Sequence, residues 1–180
     1  VATCCAMLST RLVLPIEGRA ATMTRSPRWK PRVILSISVK PVEMPVTLRG
    51  GMSLDHETFL TFYGPCSIGS SQTFYINHPK AILRVNPPVE LGGRSLTVDK
   101  GPGEGNGSAH FESLTGPGTL IKSGEGSLHA GATTADAAIQ VNGGTVSSDD
   151  AEGPVTVNAG GVFHGHFVTG LVTVQPGGTV

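Results

Sequence analysis

Hydrophobic and polar residues alternate over short stretches along most of the chain after residue 32. The pattern occurs at 33–39, 59–63, 72–76, 81–85 and 95–98, with clusters of Gly, Pro, Asn and Asp between these stretches. A period of two places successive side chains on opposite faces of a strand, and the intervening turn residues mark where each strand ends. No segment combines a 3.6-residue apolar stripe with a helix-capping signal. We therefore predict an all-β fold.

A short phrase recurs three times near the end of the sequence. It reads IQVNGGTV at 139–146, VTVNAGGV at 155–162 and VTVQPGGTV at 172–180, so the third residues of the phrases are sixteen and seventeen positions apart. A fixed period is typical of solenoids, in which each coil packs on the next. Aromatic residues make up only 5% of the chain, which suits small stacked side chains better than a sandwich core. We predict a single-sheeted β-solenoid with a ladder formed by Val141, Val157 and Val174.

Charge divides the sequence into two segments. Residues 1–50 contain eight Lys and Arg against Glu17 and Glu43, a balance of 8 − 2 = +6, although the whole chain has a formal net charge of zero. We predict an irregular basic segment at 1–45 and a solenoid repeat domain at 46–180. A basic arm could serve nucleic acid or anionic lipid, but we expect no nucleic-acid partner. Because the last phrase stops unfinished, we expect the chain to be a fragment of a longer protein.

The cysteines do not form a disulfide framework. Cys4, Cys5 and Cys66 are odd in number, two of them are adjacent, and no CxxC or Cys/His metal spacing occurs. The cysteine-free sequence after residue 66 is compatible with an exported bacterial protein. No apolar run reaches the roughly 20 residues that a membrane span needs, and no signal peptide is visible.

One stretch of sequence is specific enough to compare with a known family. Residues 116–128 read GPGTLIKSGEGSL, which closely resembles the passenger-associated strand repeat of autotransporter-like proteins, G-x-G-x-L-x-K-x-G-x-G-x-L. The resemblance is good over 90–180, and 139–146 is similar to the phrase that follows this repeat in the family. It implies a right-handed parallel β-helix that is exported to the bacterial outer surface or secreted. The matching residues are Gly116, Gly118, Leu120, Lys122, Gly124, Gly126 and Leu128.

The strongest candidate for a metal-binding motif is the pair His164 and His166. On a strand, residues i and i+2 face the same side, so both imidazoles could reach one ion. A cupin-like site would need an acidic residue soon afterwards, and 167–180 contains none. His110 and His129 lie too far away in sequence to be assigned as partners. We therefore favour an outward-facing pair in a loop between rungs and predict no metal site.

The other candidate sites are also better explained by structural roles than by catalysis or ligand binding. Asp149, Asp150 and Glu152 could bind a cation or act on a sugar, but adjacent strand residues point to opposite faces, and we predict a solvated turn. The Gly-rich stretch 99–108 lacks the spacing of a phosphate loop, and we predict a flexible protruding loop. Cys66 has no nearby His in the sequence and no nucleophile motif surrounds it.

The sequence as a whole favours a structural protein. We predict a right-handed parallel β-helix that forms a non-catalytic, adhesin-like stalk segment of an autotransporter-like surface protein. We expect no enzyme activity, no catalytic or metal-ligating residues and no cofactor. The expected partners are neighbouring coils of the full-length chain, together with surface glycans or other cell-surface molecules. The alternative is a polysaccharide-acting β-helix enzyme, a lyase or glycoside hydrolase, with charged side chains converging in a groove.

Overall fold

The structure is a computed structural model that describes the backbone of residues 35–37 and, with their side chains, residues 45–101 and 108–180. In these ranges the chain forms strands, turns and bends and contains no helix. The prediction of an all-β fold is confirmed. The strands in chain order are β1 (Leu35–Ile37), β2 (Val46–Leu48), β3 (Met52–Leu54), β4 (Thr58–Phe62), β5 (Cys66–Ile68), β6 (Gln72–Ile76), β7 (Ile82–Val85), β8 (Val89–Glu90), β9 (Arg94–Lys100), β10 (Ala109–Thr115), β11 (Gly118–Ser123), β12 (Ser127–Thr133), β13 (Ala137–Val141), β14 (Gly144–Ala151), β15 (Val155–Val157), β16 (Gly161–Val168) and β17 (Val172–Val174).

The strands pair in parallel and divide between two sheets. The first sheet has the order β1-β4-β7-β10-β12-β14-β16, with β2, β5 and β8 alongside, and the second has the order β3-β6-β9-β11-β13-β15-β17. From β9 onward consecutive strands alternate between the sheets, so the chain winds through a solenoid of about six turns. The predicted β-solenoid is confirmed, whereas the prediction of a single sheet is wrong. Each coil turns sharply enough to contribute a strand to each of two sheets.

The interior consists mainly of apolar side chains stacked in columns from coil to coil. Alternation within each strand turns every second side chain inward, and parallel pairing brings equivalent positions together. The predicted valine ladder is confirmed, because Val141, Val157 and Val174 are register partners, although Val174 is 48% exposed. One column in the second sheet contains Leu96, Leu120, Ile139, Val155 and Val172, and one in the first contains Leu83, Ala109, Leu128, Val146 and Phe163.

Four strands of the first sheet bend at a shared position. The pairing of β10, β12, β14 and β16 skips one residue in each strand, and on β14 two consecutive side chains lie outside between buried Ser148 and Ala151. A side chain on Gly131 would collide with the backbone carbonyl of Glu112, so this position on β12 requires glycine. We call the skipped set the bend column; it contains Glu112, Gly131, Asp149 and His166.

Strand β1 lies inside the segment 1–45 that the sequence predicts as irregular. It pairs in parallel with β4, in agreement with the alternation at 33–39. The other residues of 1–44 lie outside the described residues. The same holds for 102–107, the centre of the predicted flexible loop, whereas Asp99 and Lys100 belong to β9.

Candidate functional site

Polar and titratable side chains form a column on the outer face of the first sheet. Register pairing places them on successive strands from β7 to β16, which separates neighbouring backbone positions by about 4.8 Å. The bend column runs beside it, two residues further along each strand. We call the first set the histidine column; it contains Arg84, His110, His129, Ser147 and His164.

Two imidazole rings stack at the centre of the histidine column. The ring centroids of His110 and His129 are 4.6 Å apart, and the ring planes differ by 15°. The Nε2 atom of His110 also lies 3.3 Å from Oε2 of Glu112, two residues along the same strand. The stack and the carboxylate together restrict the orientation of both rings, which solvent would otherwise leave free to rotate.

The ring of His129 joins two residues of the neighbouring strand. Its Nδ1 atom lies 3.0 Å from the Oγ atom of Ser147, and its Nε2 atom lies 3.3 Å from Oδ2 of Asp149. The side chain of His129 is 28% exposed and that of Asp149 is 70% exposed. Strand β14 therefore supplies a hydroxyl and a carboxylate to one imidazole, and solvent reaches all three groups.

The sequence alone does not single out this group of side chains. His110 and His129 are too far apart in the sequence to be assigned to one site. The structure nevertheless places them side by side on β10 and β12. A signal does exist in the sequence. The steps from His110 to His129, to Ser147 and to His164 are 19, 18 and 17 residues, close to the solenoid period, and such spacing aligns side chains on adjacent coils.

His164 and His166 lie on strand β16, so the predicted loop is wrong although both side chains are exposed as expected. Their strand pairs with β14 along its whole length, which keeps this segment extended. The His166 ring packs against Phe167 at a centroid distance of 4.4 Å. In the described ranges no group of three or more His, Cys, Asp or Glu side chains is placed to hold a metal ion.

The acidic residues near 150 are also strand residues. Asp149 and Asp150 belong to β14, so the predicted solvated turn is wrong, and Glu152 directly follows the strand. The expectation that adjacent side chains point to opposite faces fails here as well, because the strand bends and both carboxylates lie outside. Asp149 contacts His129 instead of a second carboxylate.

Lys122, in the stretch 116–128, is completely buried in a core column between Val98 and Val141. Its Nζ atom donates to the carbonyl oxygens of Ser123, of Gly124 at 2.8 Å and of Gly143 at 3.4 Å. Burial lowers the pKa of Lys122 to about 8, Asp99 partly opposes this shift, and Lys100 adds to it. The lysine therefore ties the corner after β11 to the next coil, which is a structural task.

Cys66 is buried on β5, where its Sγ atom contacts the carbonyl oxygen of Gly64 at 3.2 Å. Burial raises the pKa of the Cys66 thiol to about 12. Since the thiolate is the reactive form, Cys66 is an inert core residue at neutral pH.

These features define the class of the protein: a parallel β-solenoid that carries a histidine-rich polar column on one outer face. Comparison with known protein families, with curated proteins and with solved structures found no match. In the part of the chain that the structure describes, no helix is long and apolar enough to cross a membrane.

Proposed function

We propose that this chain is a structural β-solenoid segment of an exported bacterial surface protein and that it acts in the manner of an adhesin. The main support for this proposal is that equivalent side chains align in columns from coil to coil. The inward columns are mainly apolar and the outward columns are polar. Because every coil repeats the same positions, such a solenoid builds a stable outer face of repeating composition without a cofactor.

The composition of the solenoid supports export. Its interior is held by stacked aliphatic side chains, and in the described ranges Cys66 is the single cysteine, buried and unpaired. In a solenoid, folding can start at one coil and spread to its neighbours, which suits a chain that folds only after export. The resemblance of 116–128 to the strand repeat of autotransporter-like passengers points in the same direction.

The outer face of the first sheet suits surface glycans as partners. The histidine and bend columns supply imidazole, hydroxyl, guanidinium and carboxylate groups that are open to solvent. Sugars bind through many hydroxyl groups, which need donors and acceptors spread over an extended surface. Repetition along the coils provides such a surface.

Retention of the 180-residue chain on immobilised dextran, hyaluronan and heparin tests this proposal. We expect binding to at least one of these polymers, and we expect the double variant His110→Ser/His164→Ser to bind about tenfold more weakly, the loss of roughly 1.4 kcal/mol. The control variant Thr119→Ser/Thr156→Ser changes outward positions of the second sheet and should bind normally. Equal binding by both double variants, or no binding to any of the polymers, would overturn the adhesive role.

A further inference from the structure

Ser147 lies on the outer face between two strands that carry histidines. His129 precedes it in the histidine column on β12, and His164 follows it on β16. Ser147 is itself only partly buried. Its Oγ atom lies 3.0 Å from Nδ1 of His129 on the outer side of the sheet.

The carboxylate of Asp149 lies beside the His129 ring, with Oδ2 3.3 Å from Nε2. A negative group at this position favours the tautomer that carries its ring proton on Nε2. The Nδ1 atom then has a free lone pair and accepts the Ser147 hydroxyl proton. A hydroxyl, an imidazole and a carboxylate linked in this order are the parts of an activated serine nucleophile.

We propose that Ser147 is a nucleophile, with His129 as its general base and Asp149 as the group that orients the imidazole, and that this face cleaves carboxylic esters. This activity goes beyond the structural role and does not depend on it. The stacked ring of His110, 4.6 Å away, holds the base in place. His164 is the register partner of Ser147 on β16, and in this proposal its imidazole N–H would stabilise the developing oxyanion.

The reaction proceeds in two balanced steps. The Ser147 oxygen attacks the ester carbonyl carbon while its proton moves to Nδ1 of His129, and the carbonyl electron pair moves to oxygen. Collapse of this intermediate breaks the bond to the alcohol, which leaves with the proton from His129 and gives acyl-Ser147. Water then attacks the acyl group, again through His129, and releases the carboxylic acid and free Ser147.

The position of the site indicates the class of substrate. Asp149 is 70% exposed, and the strands around Ser147 form an open outer face. An acyl group attached to an extended polymer, such as an O-acylated glycan, can lie across this face along the columns. A substrate of that shape also fits the proposed adhesive surface.

Two measurements on the full 180-residue chain test the proposal. A biotinylated fluorophosphonate followed by peptide mass spectrometry should label Ser147. Hydrolysis of p-nitrophenyl acetate should be about a hundredfold slower in Ser147→Ala and in His129→Gln. Ser127→Ala, which removes an exposed serine on the strand of His129, should react and hydrolyse like the parent chain.

Two results would overturn the nucleophilic role of Ser147. The first is a fluorophosphonate adduct on other residues only, or no adduct at all. The second is a Ser147→Ala variant that keeps the parent rate while His129→Gln loses it, since the imidazole itself would then attack the ester. Circular dichroism establishes that each variant is folded, and binding to glycans is measured separately, so failure of one proposal leaves the other standing.

Discussion

A lysine in the core is the residue that most clearly links sequence to structure here. The motif resemblance marks Lys122, and strand alternation assigns its position to the interior, between Val98 and Val141. An ammonium group is tolerated inside because backbone carbonyls surround it, including those of Gly124 and Gly143. Those carbonyls belong to two different coils, so only the folded chain provides them.

The shifted pKa of Lys122 makes stability depend on pH. The pKa falls from 10.5 to about 8 on folding, so between these values the unfolded chain binds more protons and the folded state gains stability as pH rises. Relative to Lys122→Met, the parent chain should gain about 3 kcal/mol in unfolding free energy from pH 7.5 to pH 10.5. Urea unfolding at a series of pH values measures this difference.

The exposed Lys80 provides the control for that measurement. Lys80→Met should follow the parent chain across the whole pH range. A difference between the parent chain and Lys122→Met that stays constant with pH would show that the amine is not held in a desolvated environment.

Residue chemistry predicted some local roles and missed others. The inert behaviour of Cys66 agrees with the absence of a histidine near it in sequence. The grouping of Ser147 with His129 depends on parallel pairing between β12 and β14, which no local pattern specifies. Spacing close to the period was the only indication of it in the sequence.

At the scale of the strand, alternation of apolar and polar residues predicted strands correctly where the apolar residues are also the buried ones. Strand β13 alternates between buried and partly exposed positions along its whole length. Strand β14 is different, because its acidic end favours a turn by propensity. Pairing of Ser148 and Asp150 with β12 and β16 on both sides keeps the acidic end of β14 in the strand, so tertiary contacts override local preference.

Equivalent valines in the repeated phrases should differ in their contribution to stability. Val157 is completely buried, with Val141 and Val174 as its register partners, whereas Val174 is 48% exposed. Val157→Ala should lower the unfolding free energy by about 2 kcal/mol, and Val174→Ala by less than about 0.5 kcal/mol. Thermal and urea unfolding of the two variants gives the comparison, and equal losses would contradict the stacking of the ladder.

At the scale of the whole molecule, the solenoid is held by contacts between neighbouring coils. The strand order of both sheets follows the chain from β9 onward, so each coil is stabilised by the coils on either side. The last described coil exposes several apolar side chains to solvent: Phe167, Leu171, Val174 and Val180. Among the described residues of the 180-residue chain, strand β17 pairs with β15, whereas β13 pairs with both β11 and β15.

Backbone protection should therefore fall toward the last coil. In the 180-residue chain, hydrogen exchange followed by mass spectrometry should show amides of β17 exchanging at least about a hundredfold faster than those of β13, because a strand paired on one side opens at a lower cost in free energy. Both strands belong to the same repeated phrase, which makes β13 the internal control. Equal protection of β13 and β17 would indicate a fold that opens only as one unit.

The sequence by itself determined the strand-rich solenoid, its period and its valine ladder, because alternation and glycine-containing turns are local properties. Tertiary structure alone decided that each coil feeds two sheets and that β14 bends at Asp149. It also decided which side chains meet outside, since residues 17 to 19 positions apart become neighbours only when the coils stack. The contact of Ser147 and Asp149 with His129 is a property of that stacking and of no single strand.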